Sequence, residues 1–290
     1  MRSPSPTAVS FLVGRRIDRM NGAGNKILVL DLRGGGALPS AEEARAIHRF
    51  PGLDYDQMMV LSDPRTEGTL AFVPIYNNDG SLSGACGNGT RCVADRLARE
   101  TGRNAFLVET ERGLISCERL EEWVYRVDMG APRFDWREIP LSEPIGDIDG
   151  VDVGFRGGVG SVVNMGNPHL VFFVPDAAGV ALTTLGPRYE THPLFPQKTN
   201  VSFAQILARD CILLKVWERG VGVTLACGSA ACATLVAAVR RGLSERKACV
   251  DLPGGQLTIE WRQRDGHVLM TGPVEFERQI ELEAAIFATP

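Results

Sequence analysis

Short apolar runs separated by Gly, Asn and Asp clusters dominate this chain and predict many brief strands with few helices. A tight turn, Met20-Asn21-Gly22-Ala23-Gly24-Asn25, leads into the strand Ile27-Leu28-Val29-Leu30. Ser40-Ala41-Glu42-Glu43 reads as a capping box that opens a helix ending near Phe50. Strands are predicted at 58–61 and 70–76, the second closing at the hairpin signal Asn77-Asn78-Asp79-Gly80. A helix follows Cys86 and stops at Gly102. The segments 106–109, 113–118 and 123–128 alternate in polarity as half-exposed strands do. Residues 131–158, rich in Pro, Gly and Asp, read as a crossing. Beyond them come strands at 160–164, 170–174, 201–207 and 212–217, and a second helix after Cys227. Strands around Val250, Leu257 and Val268, then a tail from Val274, complete the chain. Runs of strands with few helices, twice over, predict an α+β fold rather than a doubly wound α/β one.

The second series repeats the first. Cys86 and Cys227 stand 141 positions apart, as do Asn77 and Glu218. Gly24-Asn25 matches Gly166-Asn167 at 142, and Gln57 matches Asn200 at 143. Val108, Gly113 and Gly130 match Val250, Gly255 and Gly272, each at 142. A near-constant offset over so many landmarks marks an internal duplication. Two pseudo-symmetric domains follow, 16–130 with 274–290 and 131–273, because the tail lies past the last matched landmark and is expected to return to the first domain. Residues 1–15 are expected to be a frayed leader.

Length and composition narrow the function. The chain has 290 residues, enough for two ordinary domains. Its net charge of −4 gives no reason to expect nucleic acid or an anionic membrane as partner. The longest apolar stretch near the start, Phe11-Leu12-Val13, is too short for an export signal. Seven cysteines, an odd number without a dense pattern, are expected as reduced thiols in the cytoplasm. A homodimer is compatible with this composition.

Each of Cys86 and Cys227 sits where a small-residue turn hands over to a helix, among free N–H groups and the positive helix end. That setting favours a thiolate and binds an anion beside it. The plainer reading is two buried structural cysteines. The repeat decides between them: a pseudo-twofold axis would bring the two thiols face to face across a cleft. One thiolate and one thiol so placed suit stereoinversion at a carbon bearing an acidic hydrogen. N–H groups of Gly87-Asn88 and Gly228-Ser229 would stabilise the charge that develops. There is no Cys-x-x-Cys for disulfide exchange, and four scattered histidines give no metal-binding spacing, so neither metal nor cofactor is expected.

The motifs Met20-Asn21-Gly22-Ala23-Gly24-Asn25, Tyr76-Asn77-Asn78-Asp79-Gly80-Ser81, Cys86-Gly87-Asn88-Gly89, Gly166-Asn167-Pro168-His169, Trp217-Glu218-Arg219-Gly220 and Ala226-Cys227-Gly228-Ser229 together resemble those of the cofactor-independent diaminopimelate epimerases, from about Ile17 to the C-terminus. The resemblance implies interconversion of LL- and meso-2,6-diaminopimelate, for lysine and peptidoglycan synthesis. It implies a cleft between two domains, each a strongly curved sheet around a central helix, with Cys86 and Cys227 as acid and base. It makes Asn25, Gln57, Asn77, Asn167, Asn200, Glu218 and Arg219 substrate contacts, with Gly87, Asn88, Gly228 and Ser229 holding the reacting carboxylate and His169 orienting the site. A second amino-acid head needs a cation and acceptors, which Arg219, Glu218 and the asparagines offer. Cys92, Cys117, Cys211, Cys232 and Cys249 read as structural. Lys26, Val223 and Ala230 depart from the family's usual acidic residue, glutamate and glycine. Proline-type epimerases and phenazine-type isomerases share the two-domain plan; Glu218-Arg219 argues against the first and the thiol pair against the second.

Overall fold

The computed structural model describes residues 10–84 and 86–288. In chain order the first half has β1 (Arg16–Gly22), β2 (Asn25–Asp31), α1 (Ala41–Arg49), β3 (Gln57–Leu61), β4 (Thr69–Phe72), β5 (Ile75–Asn77), β6 (Leu82–Ser83), α2 (Gly87–Thr101), β7 (Ala105–Thr110), β8 (Gly113–Glu121) and β9 (Val124–Asp128). The second has β10 (Gly160–Asn164), β11 (Pro168–Phe173), α3 (Leu182–Glu190), β12 (Asn200–Ala208), β13 (Cys211–Glu218), β14 (Gly222–Val223), α4 (Gly228–Arg240), β15 (Lys247–Leu252), β16 (Gly255–Trp261) and β17 (Val268–Pro273). A last strand, β18 (Glu275–Glu281), and a single 3₁₀ turn end the chain.

The two halves repeat strand by strand in register. β2 runs parallel to β3 with Ile27 opposite Gln57, and β11 parallel to β12 with His169 opposite Asn200. Thr69 pairs with Leu107 between β4 and β7, and their counterparts Cys211 and Cys249 pair between β13 and β15. One residue separates the plans. The strand expected over 70–76 is broken into β4 and β5 at Pro74, which has no N–H to give the ladder. The equivalent strand β13 is continuous and pairs with both β12 and β15. The first half therefore keeps a separate sheet, ordered β18-β1-β2-β3-β5-β6, while the other runs β10-β11-β12-β13-β15-β16-β17-β9-β8-β7-β4 with β14 beside β13.

That second sheet crosses from one half to the other at β9 and β17. Asp128 stands opposite Leu269 and Val127 opposite Met270. At the 142-residue offset Leu269 is the counterpart of Val127 and Met270 that of Asp128, so the internal twofold axis passes through this antiparallel seam. α2 and α4 lie on either side of it in one continuous core, which takes in Val93, Leu97, Leu235, Val236, Val127 and Met270. α4 is apolar nearly all round, as a helix wrapped by sheet must be. α1, opened by the Ser40–Glu43 capping box, and α3 each cover a smaller core on the outer face.

Of the expected leader, residues 1–9 lie outside the described residues. In the remainder Leu12 is fully buried with Ile17 and Leu28, and Gly14 donates to Leu282 O at 2.8 Å. The tail pairs with β1 through β18. Among the described residues no helix is long and apolar enough to cross a membrane.

Candidate active site

Cys86 and Cys227 hold the same place in the two halves, the N-caps of α2 and α4, both in extended backbone (φ −148° and −134°). An N-cap side chain sits over the open N–H groups of the first turn. Cys86 Sγ accepts from Gly89 N–H at 3.1 Å, and Cys227 Sγ lies 3.5 Å from Ser229 Oγ. Gly87 and Gly228 follow the two caps, and Met270 fills the space where their side chains would be. A Cβ on Gly87 would meet Met270 Cε at 2.4 Å, and one on Gly228 would meet Met270 Sδ at 2.7 Å. The Gly228 position is also 3.3 Å from Asn88 Oδ1. Both helix ends thus converge on one methionine beside the twofold axis, which glycine alone permits.

Burial pushes the Cys86 thiol up to about 12; the Gly89 N–H draws it back, Glu218 pushes it up, Arg91 draws it back and Asp56 pushes it up. Burial also lifts Cys227 well above its ordinary value, and Glu218 lifts it further, against the pull of Ser229 and the Ala230 N–H. Glu218 is itself raised by burial, with hydrogen bonds from Thr224 and Cys227 opposing.

The polar residues expected around the thiols arrive on aligned strand ends. Gln57 on β3 lies opposite Asn77 on β5, and Gln57 Nε2 donates to Asn77 Oδ1 at 3.4 Å. Asn25 begins β2 after a two-residue turn, Ala23-Gly24, in which both φ values are positive (56° and 90°). Asn25 Oδ1 accepts from Asn88 on α2, tying the turn to the helix end. Lys26 points the other way, to Asp54. In the second half Asn167 Oδ1 accepts from His169 Nε2 at 2.8 Å. His169 is fully buried, and burial together with Arg219 and Arg112 drives its pKa down to about 3, so it is neutral. Asn200 gives Nδ2 to Pro168 O at 2.8 Å and takes the Arg219 N–H on Oδ1 at 3.0 Å, fixing the Glu218-Arg219 step. The Arg219 guanidinium meets Gln197 O at 3.3 Å.

Turns from the two halves also meet each other. A Cβ on Gly24 would come 2.6 Å from Gly254 Cα. On the twofold-related side the counterpart of Gly24 is Gly166, and that of Gly254 is Arg112. A Cβ on Gly166 would lie 2.0 Å from Arg112 Nη1, and one on Gly84 2.5 Å from Arg112 Nε. The Arg112 guanidinium is thus laid between a glycine of each half, and burial, Arg219 and Arg133 lower its pKa. Sequence reasoning missed Arg112, Met270 and Arg91. Arg112 follows from asking what faces Gly166 where Gly254 faces Gly24. Met270 carries no signal before the two helices are assembled. Among the described residues no three His, Cys, Asp or Glu side chains cluster as a metal site would.

A family model described as diaminopimelate epimerase matches residues 19–134 and 161–277. A diaminopimelate epimerase from Methylocella silvestris is 54% identical over 283 residues, covering 96% of this chain and 98% of its own. Among solved structures, a predicted epimerase from Pseudomonas aeruginosa matches with a TM-score of 0.68 at 17% identity, over 92% of this chain and 99% of that one. A hydroxyproline epimerase from Agrobacterium vitis, solved with trans-4-hydroxy-L-proline, also gives 0.68, at 15% identity over 95% and 94%. These two share the fold.

Proposed function

The chain belongs to the diaminopimelate epimerase family, and we infer that it carries out the family's conversion of LL- to meso-2,6-diaminopimelate by passing protons through two thiols. It is an isomerase of lysine biosynthesis. The observation that carries the mechanism is the placement of Cys86 and Cys227 as matching N-caps of helices that converge at the twofold seam.

One thiolate takes the α-proton from one face. The electron pair stays on the α-carbon and spreads into its carboxylate, and the opposite thiol gives its proton to the other face. At the end the proton has changed thiols and the centre is inverted; no electron leaves the system. N–H groups of Gly87-Asn88 and Gly228-Ser229 hold the reacting carboxylate as charge builds on it. Burial keeps both thiols above their ordinary range. A bound α-ammonium sets a positive charge beside them and favours the thiolate.

The second head lies towards Arg219, whose planar fork suits a carboxylate, with Asn167 as a further polar contact; Glu218, which accepts the Cys227 S–H, and Asn77, bonded to Gln57, stand nearer the thiols. Asn25 and Gln57 stand at the other strand ends and line the reacting side. The amide of Asn200 is engaged with Pro168 and Arg219, so its contribution is to place Arg219. His169 orients Asn167 by the bond described above. The division into 16–130 with 274–290 and 131–273 is supported by β18 on β1 and by the single seam of β9 and β17. Chemistry that needs free thiols supports a cytoplasmic location.

Proton flow tests the pair. With the carboxylate held at two helix ends and the second head at Arg219, the carbanion cannot turn over, so the returned proton comes from the other thiol, which exchanges with solvent. In heavy water, early product is expected to carry deuterium at the inverted carbon while recovered substrate carries almost none. Cys86→Ala and Cys227→Ala should each abolish inversion. Early deuterium shared equally by substrate and product would mean a single base.

A further inference from the structure

The two thiols are related by near-symmetry, yet the residues behind them are not. Arg91 lies in the second turn of α2, fully buried, and its Nε, Nη1 and Nη2 have no hydrogen-bond partner among the described residues. A buried guanidinium without a partner is costly, and proteins ordinarily give it a carboxylate. The natural candidate, Asp95 one turn on, is already taken: its Oδ2 accepts from Arg99 at 2.7 Å and its Oδ1 from the Tyr125 hydroxyl at 3.1 Å. Space for the guanidinium exists because residue 272 is glycine. A Cβ there would lie 3.3 Å from Arg91 Cζ, on the β17 strand of the twofold seam. The position equivalent to Arg91 in α4, at the 141-residue offset of the two catalytic cysteines, is Cys232. One half of the site therefore has a buried cation where the other has a neutral thiol.

Resting on the two-thiol reading above, we propose that Arg91 is a positioning residue that decides which thiol gives up its proton more readily: its unpartnered charge, five residues along the helix that Cys86 caps, makes Cys86 the first of the pair to ionise and leaves the proton on Cys227. The groups facing the two sulfurs differ, and the cation stands on the Cys86 side alone. Around Cys86 stand Arg91 and the Gly89 N–H, both favouring the anion, against Glu218 and Asp56. Around Cys227 stands Glu218, which disfavours the anion there and accepts the S–H, while Ser229 and the Ala230 N–H oppose it more weakly. Arg91 in turn is drawn upward by thiols, Cys92, Cys86 and Cys232, against burial that brings it to about 10, so it stays charged at neutral pH. A thiolate at Cys86, once formed, meets in Arg91 a charge that no carboxylate has neutralised. When one of the pair ionises it is then Cys86, which takes a proton on the substrate face it sees, and the pair must reset by moving a proton from Cys86 to Cys227 after each turnover in that direction.

The test is alkylation with iodoacetamide across a pH series, without substrate, with the label on Cys86 and Cys227 read separately by peptide mapping. Using the midpoint of each labelling curve rather than its rate separates charge from access. In the wild-type protein the Cys86 midpoint is expected below that of Cys227; the reverse order overturns the proposal without any variant. In Arg91→Met the Cys86 midpoint should rise by about one unit or more, a tenfold fall in thiolate at neutral pH, while Arg91→Lys stays near wild type. An unchanged midpoint in a folded Arg91→Met protein would reduce Arg91 to packing. Since no substrate is used, this outcome is separate from that of the diaminopimelate assay.

Discussion

At the scale of single residues, Arg219 has donors left over: among the described residues its guanidinium meets one backbone carbonyl, and that of its neighbour Arg112 meets no acceptor. Two guanidiniums near one another and near neutral His169 repel, and only an anion between them relieves that. Arg219→Leu should therefore cost about 2–5 kcal/mol in kcat/KM for diaminopimelate, roughly 30-fold at the least, as for a charge deprived of its bidentate partner. Arg112→Leu should cost less, because that residue is the more exposed of the two. Steady-state kinetics of both variants check this, and an Arg219→Leu enzyme with unaltered kcat/KM would remove Arg219 from the head-group site. The thiols were legible in the sequence because an anion site at a helix start leaves a local mark, cysteine among small residues before a helical run. Arg91 and Arg112 were not, since each is significant only against its counterpart, Cys232 or Gly254, and against what the fold lays beside it.

At the scale of elements, the helix ends depend on their first residues. Gly87 and Gly228 press on Met270 from opposite sides, and Gly87 is also 3.0 Å from Met129 Sδ at the position of an added Cβ. Gly87→Ala should lower stability by about 1–3 kcal/mol through overpacking and should lower kcat as well, because the displaced helix start carries the Cys86 sulfur and the carboxylate-binding N–H groups. Thermal melts and kcat measured on the same preparation check both effects; a variant unchanged in both would mean the helix ends have room. Periodicity located most strands, and the reason it failed elsewhere is specific. The 70–76 run is apolar throughout, but Pro74 divides it between two sheets. α3 was not foreseen, since Leu182-Thr183-Thr184-Leu185-Gly186-Pro187 carries Gly and Pro where a helix pattern is sought, and Ala181 gives its start no side-chain cap. The duplication would have found it: α3 lies at the repeat offset from α1.

At the scale of the whole molecule, the duplication is closed by a piece that belongs to neither copy. β18 covers the outer edge of β1 from Arg16 to Asn21, and beyond it Leu282 and Ile286 pack under α1 with Leu12 and Leu28. A chain ending at Pro273 keeps every thiol and every strand-end asparagine but leaves the β1 edge bare, an open template for mispairing. Limited proteolysis of such a 1–273 chain should cut early within 16–61, where the full chain resists; equal resistance would show that the tail is dispensable. The order of synthesis gives this closure a further consequence. Residues 16–130 leave the ribosome first, yet their sheet lacks its edge strand until 275–281 emerge. The half that is made first is finished last, so completion of its sheet waits for 275–281 to emerge. Until then a nascent epimerase keeps a bare strand edge, the kind of surface through which incomplete chains aggregate.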